Sequence, residues 1–303
     1  MPAVQPQTIE SLFPARVSEG TRKRVWDYWP AGLLALVILV LYAPVLGRLI
    51  HQWYSDPNYS HGFFVPLFSG FLVWRKRGDL APSAAAPSLG GLVVILGSLA
   101  VLFIGSLGSE LFLQRISLLG VIAGLIIYFF GWRLLRQTAF PLAFLTFMIP
   151  LPAVIYNQIV FPLQLLASRF ATTCLETINL FPVLREGNLL MLDNYSLEVV
   201  DACSGIRSLT SLIALALGYS YLVDRRWSVR LFLTAAMIPV AIISNGVRVV
   251  ITAMLVNYFG INAAEGFVHS FAGWVIFMIS LIMLFLLHGL VTITDRWRGA
   301  IAV

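Results

Sequence analysis

Charge is what this sequence has least of. Only 11% of its 303 residues are Asp, Glu, Lys or Arg, against 59% hydrophobic, whereas a water-soluble domain carries roughly 25% charged residues. That balance excludes a soluble globular domain and leaves an all-α polytopic membrane protein with the lipid bilayer as its main solvent. Cysteine is nearly absent as well: Cys174 and Cys203 are the two, with no Cys-x-x-Cys pair, which excludes a thiol-rich metal cluster. No metal and no other cofactor is expected. No small-residue cleavage site follows the first apolar run, so that run reads as an uncleaved anchor. Internal repeats are missing, and the one biased stretch is the Ala81 to Pro87 linker.

What is present is a series of apolar runs, at roughly 30–50, 60–74, 90–108, 116–132, 138–152, 204–222, 230–256 and 269–291. They predict about eight transmembrane helices, although the runs at 60–74 and 138–152 are short for a hydrocarbon core that takes about 20 helical residues. The expected organisation is an N-terminal tail over 1–29, about five helices over 30–152, an extracytoplasmic segment over 153–203, about three helices over 204–291 and a tail over 292–303. With the amino terminus inside, 14 of the 20 basic residues but only six of the 14 acids fall on the cytoplasmic side. The bias matches the rule that inner loops collect Lys and Arg, so both termini are expected in the cytoplasm. The net charge of +6 is then an orientation signal, and no nucleic-acid partner is implied. In the 153–203 segment, Asn157, Gln164, Ser168, Thr172 and Glu176 share a face at helical spacing. This predicts an amphipathic helix on the outer leaflet or beside a wet cavity. Leu189 to Val200 then reads as a small β-hairpin around Asp193-Asn194.

Chemistry concentrates after that hairpin. An extended run (Tyr195, Leu197, Val199) gives way at Ser204-Gly205 to a helical pattern, so Cys203 falls at a strand-to-helix corner. Free amides and the dipole at a helix start favour a thiolate there. Cys203 is the candidate nucleophile; a small residue filling a tight turn is the plain alternative. Arg248, in Asn245-Gly246-Val247-Arg248, is expected near the same membrane face about 27 Å along its helix. His269 opens the last span, so three helix ends are expected to converge. Taken singly, Arg248 could snorkel to headgroups and His269 could bond a nearby carbonyl. Together, a thiol with an imidazole base is the pairing of nucleophilic catalysis. Arg248, Asn245 and the Ser204-Gly205 amides could stabilise an oxyanion. The combination is that of acyl transfer. A Cys174 to Cys203 disulfide is the competing use of the two thiols.

The blocks Ala202-Cys203-Ser204-Gly205-Ile206-Arg207-Ser208, Asn245-Gly246-Val247-Arg248, His269 with Gly273, and Tyr59-Ser60-His61-Gly62 resemble those of the exosortases, integral-membrane cysteine proteases or transpeptidases of Gram-negative bacteria. The resemblance implies Cys203, Arg248 and His269 as the catalytic set. It also implies partner proteins whose carboxy-terminal sorting tail carries a Pro-Glu-Pro motif, a transmembrane helix and a basic end. Such tails are cut on the outer face of the inner membrane, often in organisms that export polysaccharide. Arg207 or Arg185 is expected to receive the glutamate, since guanidinium groups bind carboxylates bidentately. Tyr59 belongs to the same substrate side, and His61 is a rival base. A different class of function, a carrier or assembly factor for exported polysaccharide, would use Arg248, His269 and the polar face of 153–180 as a path.

Overall fold

The structure is a computed structural model that describes residues 29–80, 86–193, 195–199, 205–260 and 266–301, with the side chains of 29–31, 79, 266–270 and 295–301 outside the description. The chain divides into a first unit ending at Pro44 and a second running from Val45 to Val303. Helix α1 (Trp29–Ser55) passes from one to the other; α2 (Phe64–Arg75), α3 (Arg77–Leu80), α4 (Gly90–Leu107), α5 (Leu111–Phe130), α6 (Trp132–Phe144), α7 (Ala153–Ile178), α8 (Ile206–Val223), α9 (Trp227–Phe259) and α10 (Gly266–Ile301) follow. Six helices among the described residues are long and apolar enough to cross a membrane, or seven if α6 with its continuation and α7, bent by 77°, are counted as one span, against about eight expected. The architecture is a helical, multi-pass membrane protein with one small sheet.

The two runs that are short for a crossing are lengthened by 3-10 turns, Pro57–Phe63 before α2 and Leu145–Met148 after α6. A 3-10 turn rises about 2.0 Å per residue against 1.5 Å in an α-helix, so each run reaches further than its length suggests. Hydrogen bonds tie the α2 element to α8 and to the α6 element at both ends. At one end the Arg207 Nε–H donates to Asn58 Oδ1 at 3.2 Å, and His61 Nε2 lies 3.2 Å from the Phe147 carbonyl. At the other, the Lys76 ammonium donates to the Tyr221 hydroxyl and the Gln137 carbonyl. The α2 element therefore runs beside the length of α8, about 21 Å from residue 207 to 221, with the α6 element bonded to it at both ends.

Helices α4 and α5 show how apolar segments associate where lipid removes the hydrophobic drive between them. Small residues let the backbones touch: a Cβ on Gly91 would stand 2.3 Å from the Tyr128 amide nitrogen, and one on Gly124 3.0 Å from the Gly91 carbonyl oxygen. Leu49, Trp53, Val65, Leu119, Phe144 and Met148 form a buried cluster. There the Trp53 indole N–H donates to the Met148 carbonyl at 2.9 Å.

The hairpin expected around Asp193 is present as β2 (Leu189–Met191) and β3 (Ser196–Glu198), and a further strand, β1 (Leu184–Glu186), makes it a three-stranded antiparallel sheet of order β1-β2-β3. Glu186 pairs with Leu189 across a two-residue turn in which Gly187 takes φ +63°, the left-handed geometry such turns need. Leu190, Leu197 and Val199 pack with Ala171 and Leu175 of α7 and with Val249, Ala253 and Val256 of α9. That packing bears on two expectations. Helix α9 covers the apolar run expected over 230–256 and ends at Phe259, so Arg248 sits inside the helix and not at its end, and the part beyond it covers the sheet. The polar face expected on α7 is split. Gln164, Ser168 and Thr172 are buried together with Val160, Ala167, Ala171 and Leu175, while Asn157 and Glu176 are exposed, as are Val154 and Phe161. Ser168 shows why the middle of the face turns inward, its hydroxyl hydrogen-bonding the Gly187 carbonyl at 2.9 Å: there the helix satisfies its polar groups within the protein.

Candidate active site

Gly205 is the N-cap of α8 and takes φ +80°, a conformation that costs an L side chain about 1–2 kcal/mol. Space allows nothing larger, since a Cβ at this position would lie 2.6 Å from Asn245 Cγ. The strand-to-helix corner is thus seated directly on α9 at Asn245, which is 5% exposed. Three residues further along α9 comes Arg248, whose guanidinium reaches α10: a Cβ on Gly273 would be 3.6 Å from Arg248 Nη1. Gly273 lies one helical turn after position 269. A continuous line of contact therefore joins the beginning of α8, the middle of α9 and the beginning of α10. Ser280 and Ser244, hydrogen-bonded at 2.9 Å, hold α9 and α10 together two turns below.

Cys203 and Ser204 lie outside the described residues, as does the side chain of His269. Cys174, in α7, is a free, partly buried thiol, so it is not spent in the disulfide weighed above. Among the described residues no group of three or more His, Cys, Asp or Glu could hold a metal ion.

The other face of the α8 start opens on a cavity of about 280 Å³, with Asn58, Tyr59, His61, Tyr156 and Arg207 among its walls. Arg207 is in the first turn of α8 and the Tyr59 and Tyr156 rings are 6.4 Å apart. His61 is oriented by the Phe147 carbonyl, and its Nδ1 is buried without a hydrogen bond. A wider apolar groove of about 660 Å³ between α2, α8 and α10 begins at this same histidine. Arg185 stands apart from these walls. It lies on β1 and donates from Nη1 to the carbonyl of its own turn, Gly187, at 2.9 Å. Sequence reasoning missed Asn58 and Tyr156, which sit in unremarkable local patterns; only the fold brings them to the cavity.

The family model for transmembrane exosortases matches residues 53–286. The chain belongs to this family. Neither the comparison with curated proteins nor that with solved structures gives a match. Exosortase membership supports a membrane-embedded transpeptidase or protease role, and the matched range contains every residue of the contact line from Gly205 to Gly273.

Proposed function

We propose that this exosortase is a cysteine peptidase or transpeptidase with Cys203 as nucleophile, His269 as base and Arg248 as oxyanion partner. One observation carries the reading. The corner at Gly205, two residues from Cys203, touches Asn245, and Arg248 on the next turn of α9 touches Gly273, one turn from position 269. A base near a thiol raises the thiolate fraction and returns the proton to the leaving amine. A guanidinium and helix-start amides aimed at the developing oxyanion contribute about 3–4 kcal/mol per donor.

The substrates of this reading are exported proteins with a Pro-Glu-Pro motif, a transmembrane helix and a basic tail. They are cut on the periplasmic side of the inner membrane, with both termini of the enzyme in the cytoplasm and with a link to exported polysaccharide. The bias of charge along the chain supports this orientation, 14 of the 20 basic residues but only six of the 14 acids falling on the expected cytoplasmic side. Of the two candidate glutamate receptors, Arg207 is favoured because it lines the cavity beside the α8 start, whereas Arg185 is engaged with its own turn.

Co-expression with a membrane reporter bearing such a tail tests the reading by size. Wild type yields the shortened product, and Cys203→Ala, Arg248→Ala and His269→Ala do not. Full cleavage by Cys203→Ala sinks the mechanism; cleavage kept by His269→Ala but lost in His61→Ala moves the base to His61.

A further inference from the structure

Away from the start of α8, a hollow of about 1060 Å³ lies between α2, α5 and α6. Its walls run from Pro66 to Trp74 on α2 and from Ile122 to Phe130 on α5, about 12 Å on each helix at 1.5 Å per residue. That depth is close to one leaflet of a hydrocarbon core about 30 Å thick, and far short of both. A partner helix that crossed the membrane would need a groove of the full height, whereas an acyl chain anchored at one surface needs only half of it. Ser69 and Thr138 supply the two hydroxyls of the walls, and both are spent inside the protein, on the Pro141 carbonyl at 3.0 Å and the Leu134 carbonyl at 2.9 Å. No hydroxyl is left over for a polar occupant, which would be desolvated there without return, while hydrocarbon loses nothing. Gly70 faces the same space, and a Cβ there would meet nothing within 4 Å. The chain's own packing does not call for that glycine; close approach by another molecule does.

Positive charge stands at one end. Arg77 lines the hollow just after α2, its guanidinium stacked over the exposed Trp74 ring at 4.5 Å from the centroid. Among the described residues it has no hydrogen bond or ion pair. The neighbouring Lys76 is occupied instead: Pro141 has no N–H to offer the Gln137 carbonyl, and Lys76 takes that carbonyl and the Tyr221 hydroxyl. Residues 75–80 hold three cations and one acid, Asp79. In the orientation proposed for this enzyme that end is cytoplasmic, and a tryptophan beside an arginine marks the headgroup level.

We infer that this groove binds one anionic phospholipid of the cytoplasmic leaflet, its acyl chains lying between α2, α5 and α6 and its phosphate held by Arg77. Basic pockets between membrane helices on that side are where anionic headgroups dock, and a guanidinium stacked on an aromatic ring is already oriented for a phosphate. The occupant is a lipid and not the sorting helix of a substrate, because a basic tail would meet Arg77 as a like charge. The site is independent of the peptidase reading, which stands or falls without it. Its place in the fold gives it a consequence: the lipid fills the gap between α2 and α6, the pair whose 3-10 extensions bring His61 to the Phe147 carbonyl.

Native mass spectrometry tests the site on folded molecules alone, with the full chain stripped of lipid in neutral detergent and titrated with phosphatidylglycerol or phosphatidylcholine. Wild type is expected to bind one phosphatidylglycerol at a midpoint at least fivefold below that for phosphatidylcholine; fivefold corresponds to about 1 kcal/mol, the worth of one basic residue at an anionic surface. Arg77→Gln loses that preference. Arg225→Gln, which removes an equal charge between α8 and α9, keeps it. Gly70→Leu, whose Cβ enters open space, weakens the binding of both lipids tenfold or more. Equal loss of preference in Arg77→Gln and Arg225→Gln overturns the inference, since the charge then acts as a diffuse surface field. So does unchanged binding in Gly70→Leu. A wild-type dimer that separates in Gly70→Leu also overturns it and gives the groove to a second copy of the chain.

Discussion

Replacing Gly205 by alanine is the sharpest probe of how the corner is held. Two separate costs apply. The left-handed backbone at φ +80° costs an alanine about 1–2 kcal/mol. The new Cβ would meet Asn245 Cγ at 2.6 Å and its Cβ at 2.9 Å, and forced overpacking costs typically 1–3 kcal/mol. Together they amount to about 2–5 kcal/mol concentrated within two residues of Cys203. Either the corner moves away from α9 or α9 moves away from the corner, and processing of a sorting-tail reporter is expected to drop at least tenfold, since tenfold corresponds to about 1.4 kcal/mol. Thermal midpoints of detergent-purified protein, followed by size-exclusion fluorescence, should fall in parallel. The double variant with Asn245→Ala separates the costs in part, because it removes the 2.6 Å clash with Cγ and leaves the 2.9 Å approach of Cβ together with the backbone strain. Its midpoint should lie above the value obtained by adding the two single shifts, a coupling expected between touching residues. A wild-type midpoint and wild-type processing in Gly205→Ala would refute the reasoning, and strictly additive shifts would refute the contact.

Three further outcomes are expected. Gly273→Ala, whose Cβ would meet Arg248 Nη1 at an ordinary 3.6 Å, is tolerated, whereas Gly273→Leu displaces the guanidinium and lowers processing by about a hundredfold or more, the scale of losing one oxyanion donor; equal activity of the two variants would contradict this. Gly91→Val, which drives a side chain into the Tyr128 backbone, reduces the yield of folded protein but leaves processing per folded molecule unchanged, as size-exclusion yield and reporter rate measured together will show. Asp224, between α8 and α9, has its carboxyl held down at about 2, first by the hydrogen bond from the Arg226 side chain and also by the Arg226 amide. With an unfolded value near 3.9, its contribution is complete above about pH 4 and is lost as pH falls through about 2. The midpoint difference between wild type and Asp224→Asn should therefore shrink across that window, and a constant difference would count against the pairing.

The multi-pass helical class was legible because it depends on composition alone. Helix periods and the Gly-marked corner were legible too, for they are local: Ser204-Gly205 ends an alternating run, and only glycine fits both the φ and the space there. Local pattern failed where a segment's environment decides. Helix α7 has the period of a surface helix, yet the middle of its polar stripe, Gln164 to Thr172, is buried, with Ser168 bonded to the sheet turn at Gly187, while Val154 and Phe161 are exposed. Periodicity states that two faces differ without stating which faces the protein, and in a bilayer the usual assignment inverts. The length of α9 past Arg248 was legible in the run over 230–256, but its role was not, since an apolar run that covers a sheet reads like one that spans lipid.

The cavity beside α8 marks the remaining limit and also the reason the site is built as it is. Asn58, Phe112, Tyr156 and Arg207 come from four elements that are unrelated in sequence pattern, and no spacing rule joins them. What joins them is the pair of lengthened short segments. Without the 3-10 turn at Pro57–Phe63, the carbonyl of Phe147 could not meet His61, nor could Asn58 reach Arg207. Elements that look too short to cross therefore bring polar groups to the start of α8 on one side, while α9 brings Asn245 to it on the other and sets the Arg248 guanidinium against α10. A helix start flanked in this way can receive an acidic anchor on one face and carry out acyl transfer on the other, so binding and chemistry are separable by mutation: changes at the Arg207 face should alter which tails are processed, and changes at the Asn245 face how fast any tail is.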